Sequence, residues 1–76
     1  MPASRIRITN KDFESSCEAN ASGPDDVRAE ALRAALQIGS DEVCAGKPFF
    51  GAEITIEREQ QIVERLVIAI GASPLR

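Results

Sequence analysis

Histidine, tryptophan and tyrosine are absent from these 76 residues, and cysteine occurs only twice. Without histidine the chain lacks the side chain that most often moves protons near neutral pH. Two cysteines with no histidine also fall short of the four Cys or His ligands that a structural zinc site takes. A glycine-rich phosphate cradle and a serine set beside a base are missing as well, so hydrolase and transferase chemistry has no obvious machinery. No stretch approaches the ~18 apolar residues of a membrane span. The opening residues MPASRIRITN contain no apolar core of about 7 to 15 residues such as a secretory signal carries, and the sequence therefore reads as cytoplasmic. Basic charge is in deficit too, nine Lys and Arg against twelve Asp and Glu for a net charge of −3, the wrong sign for a protein that tracks phosphates. The one basic cluster, Arg5, Arg7 and Lys11, suits the solvated outer face of a strand. These absences argue against an enzyme, a cofactor, a metal, nucleic acid and a membrane.

What is present is one small domain spanning residues 1–76. A chain this short buries only about 60% of the surface its unfolded form exposes, and such domains commonly lean on disulfides, a metal or self-association. With the first two disfavoured, association remains.

The centre of the chain reads as its single helix, over residues 23–45. Ser22 followed by Asp25 resembles a capping box, Pro24 suits a first turn, and Asp25 and Asp26 place negative charge at the positive end of the helix dipole. Good helix formers follow from Val27, and Gly46, Lys47 and Pro48 supply a stop. Gly39 is the weak point of the interior. Around the helical wheel Val27, Ala31, Ala34, Ala35 and Ile38 form a narrow arc of mostly small residues able to lie close on a sheet. An adjoining arc carries Ala29, Leu32, Leu36 and Val43. One buried face seldom needs both arcs, so the second either widens the core or meets another subunit.

Four strands flank the helix. Residues 5–9 alternate Ile6 and Ile8 with Arg5, Arg7 and Thr9, and residues 13–19 place Phe13, Ser15, Cys17 and Ala19 on a thin inward face. Residues 49–57 show the clearest alternation, Ala52, Ile54 and Ile56 against Glu53, Thr55 and Glu57. In residues 62–71, Ile62, Glu64, Leu66, Ile68 and Ile70 share one face and Val63, Arg65, Val67 and Ala69 the other. The last few positions are apolar on both sides, as in a strand covered on both faces. The expected fold is α+β, a two-layer sandwich of one central helix on a four-stranded antiparallel sheet in the sequence order β-β-α-β-β. Antiparallel neighbours allow the strand orders 1-2-4-3 and 2-1-3-4, and the two-faced final strand favours the first.

The helix series PDDVRAEALRAAL, with a hairpin and an acidic small-residue connector before it and AEITIE and an apolar strand after it, resembles a family of short bacterial proteins. That family is catalogued only as a domain of unknown function, the one numbered 6894. Asp26, Val27, Ala31, Ala34 and Ala35 fall where its helix pattern places Asp and Ala. The chain departs from it at Asn10-Lys11 and at Arg58 to Gln61, the family favouring glycine-containing turns there. The resemblance implies the fold and no activity, ligand or catalytic residue.

Candidate chemistry is sparse. Cys17 shares a face with Phe13 and reads as a core thiol, Cys44 lies on the polar sector near the helix C-terminus, and neither has a histidine partner. The rise of the helix sets the two too far apart for a disulfide. Asp25/Asp26, Asp41/Glu42 and Glu57, Glu59 and Glu64 could bind a cation, but surface acids more often serve capping and solubility. Phe49 and Phe50, adjacent in a strand, must point to opposite faces. The reading that unites these features is a non-catalytic, self-associating interaction or accessory module. It is expected to be a homodimer, through the open face of the sheet or the leucine arc, with Leu32, Leu36, Val43, Phe49, Phe50, Val63 and Val67 as candidate interface residues. The alternative is a small-ligand or enzyme site in an inter-subunit groove that uses the acidic residues.

Overall fold

The computed structural model describes residues 3–75. Its elements run β1 (Ser4–Thr9), β2 (Glu14–Glu18), α1 (Pro24–Cys44), β3 (Phe49–Arg58) and β4 (Gln61–Gly71). The result is the expected α+β architecture, one helix on a four-stranded antiparallel sheet. The strand order is β2-β1-β3-β4, so the alternative favoured from sequence, with the final strand inside the sheet, is corrected: β4 is an edge. The reason lies in β2. In the order 1-2-4-3 the short polar ESSCE strand would sit inside the sheet, where it has almost nothing to bury. In the observed order all five of its residues are exposed at the edge, and Ile6 and Ile8 of β1 sit directly opposite Ile56 and Ile54 of β3.

Each turn has its own chemistry. Between β1 and β2, the Asn10 carboxamide oxygen accepts hydrogen bonds from the backbone N–H of Asp12 (2.7 Å) and Phe13 (3.1 Å), closing an Asx-type turn. Its Nδ2 donates to the carbonyl of Gly51 at 3.2 Å and so ties the turn to β3. Between β3 and β4 the two turn residues Glu59 and Gln60 both have positive φ, 54° and 67°, the conformation of a type I′ hairpin turn that usually takes Asn-Gly.

The helix does not begin as the sequence suggests. Gly23 is the N-cap and no side chain caps it, so Ser22 and Asp25 form no capping box. The connector is held instead by Glu30, whose carboxylate accepts the backbone N–H groups of Asn20 and Ala21 at 2.9–3.0 Å. The C-terminus follows expectation. Gly46, at φ +114°, donates its N–H to Val43, and Lys47 donates to Glu42, the paired bonds of a glycine-terminated helix.

The core comprises Ile6, Ile8, Val27, Ala31, Ala35, Phe50, Ala52, Ile54 and Ile56. On the helix the buried row is Val27, Ala31, Ala35 and Gly39, a four-residue ridge of small side chains. Ala34 and Ile38, assigned to the same arc from sequence, flank this row and are half-buried, while Val43 prolongs it at the same spacing. Gly39 is a close approach rather than a weak point. A Cβ there would fall 2.5 Å from Cδ1 of Ile70 and 2.8 Å from the Phe50 ring. Brought in this closely, α1 lies over β3 and β4, with less against β1 and nothing close to β2.

Candidate interaction surface

The faces of β4 follow from its register with β3. Ile70, Ile68, Leu66 and Glu64 pair with Phe50, Ala52, Ile54 and Ile56 and point toward the helix, while Ala69, Val67 and Arg65 pair with Gly51, Glu53 and Thr55 and point away. The register shifts at Ile56/Glu57, so that Ile62 faces Glu57 and Val63 is the extra residue of a β-bulge. Strict alternation had placed Ile62 under the helix. The bulge moves it to the open face, where it is 55% exposed, and turns Val63 toward a small hollow beside Pro24, Val27 and Ile56. Nothing in the sequence pattern marks this shift, and Ile62 was missed as a surface residue for that reason.

The seven candidate interface residues divide. Val67 (78% exposed), Phe49 (63%), Val63 (57%) and Leu36 (46%) are open to solvent. Leu32 and Val43 are half-buried and pack against the core. Phe50 is corrected outright. It is inside the core and stacks on Phe13 with ring centroids 6.1 Å apart, so it offers no surface. The two adjacent phenylalanines do point to opposite sides of the sheet.

The open face is not an apolar sheet surface. Across the four strands it carries Arg7 between Glu14 (3.4 Å) and Glu57 (3.7 Å), Arg5 donating to Ser16 (2.9 Å), and Arg65 of β4 paired with Glu53 of β3 (2.7 Å). Arg7 and Arg65 flank Thr55 from the strands on either side, and Thr55 is buried beneath this layer. The exposed apolar residues of this face are Ile62, Val67 and Ala69 of β4 and Phe49 at the start of β3, which lies beside the β1–β2 turn residues Asn10, Lys11 and Asp12. On the helix side of β4, Arg28 ion-pairs with Glu64. Leu32 and Leu36, one and two turns further along the helix, therefore lie above β4 rather than above β2.

Both thiols are free and exposed. Cys17 is not the core residue expected. It faces the helix side opposite Ile6, but α1 stops short of β2 and leaves it uncovered. The carboxylates are spread along the surface and mostly engaged. Glu42 pairs with Lys47 at 2.7 Å, Asp41 accepts from Gln37 at 3.2 Å, and Glu57 and Glu64 are paired as described. Glu57 and Glu59 line an open depression of about 310 Å³ with Arg5 and Glu18, away from Glu64. Among the described residues no three His, Cys, Asp or Glu side chains come together as a metal site. Two cations and one acid feel their partners. Glu64 raises the pKa of Arg28, first through the hydrogen bond and then through its charge, Glu42 does the same for Lys47, and the Asn20 and Ala21 N–H groups lower that of Glu30. These are ion pairs and a capping contact, with no acid and base converging on a common point. Among the described residues no helix is long and apolar enough to cross a membrane.

Compared with family models, curated proteins and solved structures, the chain gives no match.

Proposed function

We propose that this chain is a non-catalytic cytoplasmic domain that self-associates as a homodimer and serves as an interaction or accessory module. The observation that supports this reading is β4, an eleven-residue edge strand with apolar side chains on both faces and Ile62, Val63 and Val67 each more than half exposed. Long, apolar, unprotected edges are uncommon on monomeric proteins, because their unpaired N–H and C=O groups pair with other chains. A domain of 76 residues has little core to spare and gains stability from covering such an edge. The polar, ion-paired open face over β1, β2 and β3 argues against face-to-face packing of two sheets and favours a contact along β4.

Sedimentation equilibrium at micromolar concentration tests this. The expected mass is twice 8.2 kDa. A monomer that shows no association over the accessible concentration range overturns the reading.

A further inference from the structure

We propose that two copies join through antiparallel β4–β4 pairing centred on Ile68, making one continuous eight-stranded sheet with both helices on the same face. This rests on the self-association reading above and names the contact that serves it. The backbone carries the argument. Ala72 donates its N–H to Pro48 across the β3–β4 pair, so by alternation Ile70, Ile68, Leu66 and Glu64 bond inward to β3. The N–H and C=O groups of Arg65, Val67, Ala69 and Gly71 then point out of the sheet. The same phase follows independently from the opposite edge, where Ala19 donates to Ser4; carried through β1 and β3, it again turns these four residues outward.

A strand and its two-fold copy are antiparallel, so this edge is complementary to itself. Several registers bring outward residues opposite one another, but only the one centred on Ile68 pairs all four of them among themselves. Centred on Leu66, the pairing sets Glu64 against Ile68 of the partner subunit. Centred on Val67, it sets Glu64 against Ile70 of the partner subunit and leaves Gly71 opposite the bulged Val63. Centred on Ile68, Arg65 faces the partner's Gly71 and Val67 faces the partner's Ala69, which satisfies all four outward N–H and all four outward C=O groups of each copy. On the helix side this register aligns Leu66 with the partner's Ile70 and Ile68 with the partner's Ile68, an all-aliphatic row at the positions where cross-strand side chains approach most closely. No like charges meet, since Arg65 lies opposite glycine and Glu64 falls opposite the partner's Ala72.

The helices fit the same arrangement. A two-fold axis normal to the sheet keeps both on one side, and helices centred near β3 stand about three strand spacings, or ~14 Å, apart. That exceeds the 8–10 Å of directly packed helices, and Leu32 and Leu36, on the β4 side of α1, project into the gap above Ile68. The leucine arc and the two-faced strand thus become parts of one interface.

The experiment combines an edge-blocking substitution with cross-linking. Ala69→Pro removes an outward N–H and leaves the β3 ladder intact; with the fold checked by circular dichroism and thermal melting, it weakens dimerisation on the order of 100-fold through two symmetric lost contacts. In a Cys17→Ser/Cys44→Ser background, Ile68→Cys cross-links under mild oxidation, whereas Val67→Cys and Ala69→Cys each fail alone because like positions are offset beyond the ~7 Å reach of a disulfide. Mixing the Val67→Cys and Ala69→Cys proteins restores cross-linking, a reading that holds even if Ile68→Cys loosens the fold. A dimer indifferent to Ala69→Pro, with no cross-link at Ile68 or in the mixture, overturns edge pairing while self-association stands. Cross-linking of Val67→Cys alone overturns the register. A monomeric wild-type chain overturns both this proposal and the reading beneath it.

Discussion

The sheet has two edges built in opposite ways. β2 is five residues long, begins and ends with Glu, and has no helix over it. β4 is eleven residues long, mostly aliphatic, and half-roofed by α1. Short length and charge are the devices by which natural sheets discourage edge-to-edge pairing. β2 uses both. β4 has only Glu64 and Arg65, each drawn into an ion pair within its own chain, with Arg28 and Glu53. The polar residues of this small domain protect one edge and leave the other available. This difference also makes head-to-tail β2–β4 growth into filaments less favourable than closure through two copies of β4.

The sharpest way to break the asymmetry is to push the helix off β4. Gly39→Leu forces a side chain into space already held by Ile70 and Phe50, with an expected loss of about 3 kcal/mol, or on the order of 15 °C in Tm. The matching change at the other edge, Cys17→Leu, adds a side chain on the same side of the sheet, where it meets solvent, and stays within about 0.5 kcal/mol of wild type. Urea titration of the two variants side by side measures the contrast, and equal losses would mean that the helix covers both edges alike.

Much of the fold was legible in the sequence. The alternation in AEITIE, the helix with its glycine stop, and the antiparallel β-β-α-β-β order all emerge from local pattern, because each depends on periodicity and turn chemistry within one segment. What failed was what depends on neighbours. Two-faced apolarity marks β4 as needing cover, but it cannot distinguish a central strand from an edge that another chain covers; the emptiness of ESSCE was the better guide to strand order. Cys17 was misplaced because the face of a strand is local while the reach of the helix is not. Ile62 and Val63 exchanged roles through a one-residue bulge that leaves no trace in composition. Gly39 looked like a defect by helix propensity alone, and only the positions of Ile70 and Phe50 show why a smaller residue is required there.

The two hairpin turns offer a second comparison of the same edges. Asn10 organises the β1–β2 turn through two accepted bonds and one donated bond to Gly51. Asn10→Ala is expected to cost about 1–2 kcal/mol, loosening β2 first, which amide hydrogen exchange resolves strand by strand. The β3–β4 turn is under strain instead, because Glu59 and Gln60 hold left-handed φ with side chains that disfavour it. Replacing them by Asn-Gly is expected to stabilise the fold by about 1 kcal/mol, raising Tm by roughly 4–8 °C. A decrease would show that the turn residues make contacts worth more than the strain they carry.

The smallest effect concerns the connector that leads from β2 into the helix. Hydrogen bonds from the Asn20 and Ala21 N–H groups lower the pKa of Glu30 below its ordinary value near 4.5 in the folded chain. A carboxylate held down in this way stabilises the fold fully above that ordinary value, and its contribution is lost as pH falls through the lower, folded-state value. Glu30→Gln keeps one acceptor oxygen but removes the charge. The variant should therefore be less stable than wild type at pH 7, with a gap that narrows as the pH drops below about 4.5, since protonated wild type and the amide then offer the Asn20 and Ala21 N–H groups similar neutral acceptors. Thermal melts of both proteins between pH 3 and pH 7 read the gap directly. A constant gap across that range would mean that the connector is held by geometry alone and that the charge on Glu30 contributes nothing to holding Asn20 and Ala21 against the helix.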